Sequence, residues 1–497
     1  MRVHSPWMAL VVMLVVSAAG CATTSSTTPA STTSRVPAAG QSRVHAVREP
    51  LTANRASSVS HDTETLALVP HAGRLFAATG QWMYPGSPAH GQVLVQDSAN
   101  DPWKVFENTQ SLRVQALDSF PIPDDQGLGA RHSLLVTAAI VEGRSEVQWL
   151  RDDAASFAAD DAFPLVSMSA GVRAFGAHED GGVWSVYAGV APTGILRGTW
   201  SPTKHTLVFD PKPELSTAPS RTCGKQTQKV TGFADCAGAL YVSIGTKVFR
   251  RNDGDLPPGV SRWARVYQAP PVGSFNSGVR GLTCVAHDGA PSLLLSTEGN
   301  GDVLRLDHLP AGRRAEGAPF LVPHLELAPF PAIRRMLAAS GTTVPARGPG
   351  SIGYVIAAYN DFAPLHRGGG PRQLFGFEWG YVRSCPSTRS CGPTAFHTIT
   401  YDSAACFAVR SDHGSSPTFD LRCLSGSDFT PTARTTSPIR GGQAFVSIRT
   451  IATSPFGDGR VYYGGYDCNF FPSDGTAWIA RSGESAIHLD DPGQEHS

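Results

Sequence analysis

The chain repeats one short phrase. Apolar runs carrying Gly or other small residues recur as RLFAATG (Arg74–Gly80), SLLVTAA (Ser133–Ala139), VWSVYAG (Val183–Gly189), ALYVSIG (Ala239–Gly245), SLLLSTEG (Ser292–Gly299), YVIAAYN (Tyr354–Asn360) and RVYYGGYD (Arg460–Asp467). Their starts lie roughly 50–60 residues apart, except for a last interval roughly twice as long. Each is followed, after a turn, by another strand-like run such as GQVLVQD, GDVLRLD or TAWIARS. Most are preceded by one more: SLRVQAL, GVRAFGA, KVTGFAD, GVRGLTC and SIRTIAT. Several units add an outer run with an aromatic end, such as PWKVFEN or RWARVYQ. Short apolar runs bounded by turn residues read as strands. The 51 Gly, 38 Pro and only 16% charged residues suit many short strands joined by tight turns.

The unit is therefore four short strands, repeated about seven times. One such sheet cannot bury both faces alone. A closed ring packs each sheet against two neighbours and leaves only short edges. Residues 62–485 resemble the β-propeller architecture on this ground. The expected fold is all-β, with seven blades of four antiparallel strands. Residues 308–440 interrupt the rhythm. There PAIRRMLAAS (Pro331–Ser340) reads as a short helix, and the Cys385/Cys391 and Cys406/Cys423 segments read as insertions pinned by disulfides.

The N-terminus carries an address. Arg2 and His4 precede an apolar run from Met8 to Val16, and the small residues Ser17–Gly20 lead into Cys21. The run is too short to span a bilayer and fits a signal peptide. The arrangement resembles the bacterial lipoprotein signal, although Ala18 stands where Leu is most usual. The resemblance implies removal of residues 1–20, lipidation of Cys21 and a membrane partner through that lipid. Ala22, where an Asp would favour the inner membrane, implies the outer membrane. Residues 21–61 then read as the lipidated Cys and a disordered Ser/Thr/Ala/Pro-rich tether, too apolar-poor to offset its ordering entropy. Residues 486–497 read as a flexible tail.

Nine Cys are present. Lipidation of Cys21 leaves an even set of Cys223, Cys236, Cys284, Cys385, Cys391, Cys406, Cys423 and Cys468, as an oxidising compartment favours. Closeness along the chain suggests Cys223–Cys236, Cys385–Cys391 and Cys406–Cys423, leaving Cys284 with Cys468. No CxxC occurs, and the spacings fit no common zinc pattern.

Chemistry is harder to read. Lys plus Arg equals Asp plus Glu at 41 each, so no nucleic-acid footprint is expected. HExxH, GxSxG, P-loop and EF-hand motifs are missing, and no catalytic residue stands out. RNDGD and EGNGD are the only turns suggesting calcium, and such compositions usually mark plain turns; no cofactor is expected. One recurrence is more specific. Arg113, Arg173, Arg280 and Arg449 occupy like places in the first strand of four units. With Glu298, Tyr466 and Asp467 on neighbouring loops, they suggest a mouth that clamps carboxylate or phosphate. The expected function is a binding or scaffolding module for an anionic glycan or an envelope protein. The alternative is a hydrolase or lyase acting on a polysaccharide or lactone, with residues gathered from several blades.

Overall fold

The computed structural model describes residues 53–54, 62, 64–81, 91–109, 111–123, 132–141, 144–159, 171–190, 194–217, 229–270, 278–310, 312–313, 320–339, 341, 343–346, 351–357, 362–365, 372–382, 399–400, 406–412, 417–423, 447–466 and 477–481. Cys21, Cys223, Cys385, Cys391, Asp467 and Cys468 lie outside them. No helix among the described residues is long and apolar enough to cross a membrane.

The strands form seven antiparallel blades around a ring. From the axis outward, blade one is Glu64–His71, Arg74–Gly80, Gln92–Gln96 and Lys104–Asn108. Blade two is Leu117–Ile122, His132–Val141, Arg144–Arg151 and Ala158–Ala159. Blade three is Val172–Asp180, Val183–Val190, Gly194–Ser201 and Thr206–Phe209. Blade four is Val230–Cys236, Ala239–Ile244, Lys247–Arg251 and Trp263–Gln268. Blade five is Val279–His287, Ala290–Thr297, Val303–Leu306 and Pro323–Leu327. Blade six is Ile352–Ala357, Arg372–Val382, Cys406–Ser411 and Thr418–Cys423. Blade seven takes Ser447–Thr453, Val461–Tyr466 and Ala477–Arg481 from the C-terminal part of the chain. Its fourth strand is Ala53–Asn54, which pairs antiparallel with Ala480 and Ile479.

Among the described residues, seven apolar clusters occupy the seven blade interfaces, one each, which fixes the ring as closed. Leu134, Trp149, Phe175 and Trp184 fill the space between blades two and three. Leu68, Trp103, Tyr462 and Ile479 close the ring between blades one and seven. The second strands, covered on both faces, are continuously apolar: Leu293, Leu294 and Leu295 are all fully buried. Close approach of the blades requires glycine at specific points. A Cβ on Gly376 of blade six would collide with Ile448 Cγ2 of blade seven and lie 3.0 Å from the Ile448 carbonyl oxygen. A Cβ on Gly232 of blade four would stand 2.9 Å from the Leu282 backbone nitrogen of blade five.

Blades one, three, four and five turn from first to second strand through the same two-residue hairpin. Both central residues have positive φ: Ala72 and Gly73, Gly181 and Gly182, Ala237 and Gly238, Asp288 and Gly289. This is the type I′ turn, whose twist matches that of the strands.

Several sequence expectations are corrected. The rhythm break at residues 308–440 contains the outer strand of blade five, a helix and the whole of blade six. YVIAAYN supplies the innermost strand of that blade, not the second, because among the described strands Ile352–Ala357 pairs with Arg372–Val382 alone, with one isolated bridge from Val355 to Gly299 of blade five. The helix runs Pro329–Ala339, starting two residues early, since Pro is tolerated in a first helical turn. Ala53–Asn54, within the stretch read as tether, is laid into the ring. Cys236 pairs with Cys284 of the next blade, with Cα atoms 5.3 Å apart, so neither Cys223–Cys236 nor Cys284–Cys468 forms. Cys406 is disulfide-bonded and stands directly across the strand pair from Cys423.

The close blade contact yields a prediction. Gly376→Ala should cost about 1–3 kcal/mol through overpacking, read as a lower urea midpoint. Ile448→Ala removes the colliding methyl, so the double variant should lose less stability than the two single losses summed.

Candidate functional site

Each inner strand runs along the central channel, so residues at its two ends line the two mouths. At the starting end the register slips by one residue in six blades, at Leu66, Arg173, Thr231, Gly281, Gly353 and Arg449. Such bulges re-aim side chains. Arg449, one of these, sends Nε to 3.1 Å from Glu64 Oε1 and Nη2 to 3.5 Å from Glu378 Oε2. Arg113 pairs with the other Glu64 oxygen. The result is an alternating row, Arg113–Glu64–Arg449–Glu378, drawn from blades two, one, seven and six. Glu64 is fully buried, and Arg449 and Glu378 nearly so.

Arg280 donates from Nη2 to Glu298 Oε1 at 2.5 Å. Arg173 is half-buried in the channel, beside Gln115 and Thr231. Three of the four arginines singled out in the sequence are thus charge-compensated by glutamates. Glu64 and Glu378 carry no motif and come from other blades, so only knowledge of the ring could find them. Tyr466 pairs through its backbone with Ser447, Ala477 and Glu64.

At the far end, the last residue of the inner strand stitches its blade to the next, by different chemistry each time. His71 Nδ1 lies 2.9 Å from Ser119 Oγ and 3.3 Å from Ser133 Oγ of blade two. Burial there lowers the His71 pKa to about 4, helped by Arg74 and opposed by Asp152. Asp180 accepts from Arg251 Nη1 at 3.0 Å, from the Gly254 amide at 3.0 Å and from Arg313 Nη2 at 2.6 Å. Burial would raise Asp180, but these donors win and hold it near 2, lowered to about 2. Cys236 uses the disulfide to Cys284. His287 Nδ1 lies 3.1 Å from Asp412 Oδ1 of blade six.

Between the first of these stitches and the disulfide, the channel opens into a cavity of about 490 Å³. It lies at the far end of the inner strands of blades two to five. Phe120, Phe175, Phe233 and Leu282 form apolar walls, and Asp118, Glu179 and Asp235 add three carboxylates. No Lys or Arg is among its lining residues. His178, only 4% exposed, is also part of the lining, with Nδ1 3.0 Å from Asp235 Oδ2 and Nε2 3.2 Å from Asp253 Oδ2. Burial pulls its pKa down, but the two carboxylates outweigh this and push it up to about 9. The sequence does hold a signal for this mouth. AHED and FADC each place an acidic residue near the end of an inner strand, whereas Asp118 in ALDS stands near the start of Leu117–Ile122.

A separate group, His132, Asp152 and Asp153, has ligand atoms within 4.8 Å of one another. Its members are already engaged: His132 Nδ1 lies 2.7 Å from Asp152 Oδ1, and Arg151 pairs with Asp153.

No protein-family model and no curated protein matches the chain. Among solved structures, the chain is similar to the β-propeller domain of Cps50 (Swd1) from Myceliophteria thermophila, at 11% identity and TM-score 0.41, over 85% of this chain and 96% of that one. It is also similar to the six-bladed fucose-recognising lectin of Aleuria aurantia, at 11% identity and TM-score 0.33, over 75% and 99%. A third is the GH93 α-L-arabinofuranosidase of Fusarium graminearum, at 10% identity and TM-score 0.36, over 73% and 98%.

Two predictions follow from the charges. Glu64→Gln leaves Arg113 and Arg449 short of their shared counter-charge, and should cost about 3–5 kcal/mol in urea denaturation. The two histidines should shape the pH profile of stability in opposite senses. His178, raised when folded, contributes fully below its unfolded value near 6.5 and loses that contribution as pH rises through about 9. His71, depressed when folded, contributes above that unfolded value and loses it as pH falls through about 4. Stability should therefore decline on both sides of neutrality. His178→Gln should flatten the alkaline flank and His71→Gln should flatten the part of the acid flank above pH 4.

Proposed function

We propose that this protein is a lipid-anchored propeller of the bacterial envelope that acts as a binding module, with its ligand site in the acidic far-end cavity. The observation that carries this reading is the cavity itself. It is open and mostly apolar, has a few polar groups converging on it, and its volume falls in the range of small-ligand sites. The arginine end supports an anionic ligand less well, since glutamates already take up three of its guanidinium groups. Anchoring through Cys21 rests on the signal-like N-terminus. The closing strand at Ala53–Asn54 supports display of the ring from its rim, because the chain enters at the outer edge of blade seven. A tether of this length spans on the order of 30 Å on average.

Three carboxylates at one mouth also support a second reading, a hydrolase acting on a polysaccharide, since such chemistry uses paired carboxylates.

Two measurements test the proposal. Cys21→Ser should abolish incorporation of radiolabelled fatty acid and move the protein from the membrane fraction to the soluble one; unchanged acylation overturns the anchor. Calorimetric titration of the full chain against envelope glycans and peptides should find a ligand lost on Phe120→Ala and retained on Arg280→Gln. The reverse pattern moves the site to the arginine end. Release of reducing ends by the wild type, abolished by Asp118→Asn or Glu179→Gln, would establish the hydrolase instead.

A further inference from the structure

We infer that the Cys236–Cys284 disulfide is a thiol-exchange site, at which a small thiol entering the far-end cavity becomes joined to Cys284. This holds whatever ligand the cavity takes. The two halves of the bond are unlike. Cys236 is only 2% exposed and belongs to the apolar cluster between blades four and five. Cys284 is exposed and lines the cavity, whereas Cys236 is not among the lining residues. An attacking thiolate therefore has one sulfur to reach. Exposed disulfides are the ones that exchange, because attack needs access to a sulfur atom.

The step is a plain exchange with no net oxidation. The thiolate of the small thiol attacks Cys284 Sγ, the Cys236–Cys284 bond breaks, and Cys236 leaves as a thiolate that takes up a proton from water. The chain then carries a mixed disulfide at Cys284 and a free thiol at Cys236. The Ser292 carbonyl oxygen lies 3.6 Å from Cys236 Sγ, placed to accept the hydrogen of that thiol. In the reverse step Cys236, deprotonated again, attacks Cys284 Sγ and expels the small thiol. Such caps are reversible.

The fold around the bond does not depend on it. Cys236 is paired with Ala239 inside blade four, and Cys284 with Leu293 inside blade five. Tyr241, Leu282, Leu293 and Leu295 pack the two blades together beside the disulfide. With both strands held, the cysteine Cα atoms stay near their 5.3 Å separation, and the freed Cys236 thiol remains beside the sulfur it must recapture. A group joined to Cys284 occupies part of a cavity of about 490 Å³, so the state of this bond sets how much room a ligand finds. The disulfide-bonded Cys406 is fully buried and does not line the cavity, which makes it an internal reference.

The test incubates the native full chain with reduced glutathione, samples early, quenches with acid, alkylates under denaturing conditions and maps the peptides by mass spectrometry. Glutathione should appear on Cys284 with alkylation on Cys236, about tenfold over the opposite placement, and Cys406 should react about tenfold more slowly than Cys284. Circular dichroism should not change. A bond that opens only in urea overturns the inference, as does equal adduct on Cys236. Equal reaction at Cys406 means that the chain is opening as a whole, and overturns it too. The cavity is tested separately. In Cys236→Ser, an environment-sensitive fluorophore attached to Cys284, with mapping to confirm its position, should emit to the blue of the same label on the denatured chain. Emission as in water puts the group outside the cavity and overturns that placement. If Cys236→Ser does not fold, the wild-type mapping decides alone. None of these outcomes bears on the glycan and peptide titrations, so the two proposals fail separately.

Discussion

The structure depends on close approach between flat sheets. Each blade has two apolar faces and can bury them only against its two neighbours, so no blade is stable alone. Close approach requires a small residue wherever a bulky one projects from the next blade, as at Gly232 against Leu282 and Gly376 against Ile448. That requirement explains the glycine-rich phrase that recurs through the chain. It also sets how near the inner strands come to the axis, and hence where the channel narrows and where it opens.

Apolar packing does not fix the register of one blade on the next, because it is non-directional. Directional contacts do so at the last residue of the inner strand. His71, Asp180, Cys236 and His287 each precede the same type I′ turn, and each reaches the following blade. The backbone is common to the four sites while the chemistry differs, so the position, rather than the bond type, is what the fold demands. The same stitches hold the walls of the cavity. Asp180 and His178 tie blade three to blade four, and the disulfide ties blade four to blade five. A site set between locked elements is held near one geometry before a ligand arrives.

The seven-blade ring was legible because the phrase recurs at a fixed interval. Blade six was misread because an apolar phrase alone does not say which strand of a unit it is. YVIAAYN looks like the second strands of the other blades, yet it is innermost, and the long final interval comes partly from that displacement and partly from the longer connections around blade six. The disulfides teach a sharper lesson. Closeness in sequence favoured Cys223 for Cys236, but in a ring of repeats equivalent positions of adjacent blades lie side by side. Cys236 and Cys284 are 48 residues apart, about one repeat, and so become neighbours. The arginines were visible as a recurrence, whereas Glu64 and Glu378 were not, because each becomes a partner only when neighbouring blades pack, and Glu64 and Arg449 come from opposite ends of the chain.

Closure of the ring brings those ends together. Blade seven takes three strands from the C-terminal part of the chain and its fourth from Ala53–Asn54. Glu64 then lies between Arg113, close in sequence, and Arg449, far from it. Loop-closure entropy opposes such distant contacts until the intervening blades have formed. The buried charges add a second condition. Glu64 and Arg449 are costly to desolvate alone and are tolerated only as a pair. A ring left open would bury neither the apolar edge of blade seven nor these charges, so closure is cooperative. The N-terminal strand and the Glu64 row therefore act together as the fastener of the ring, placed at the interface where the order of the chain gives the least help.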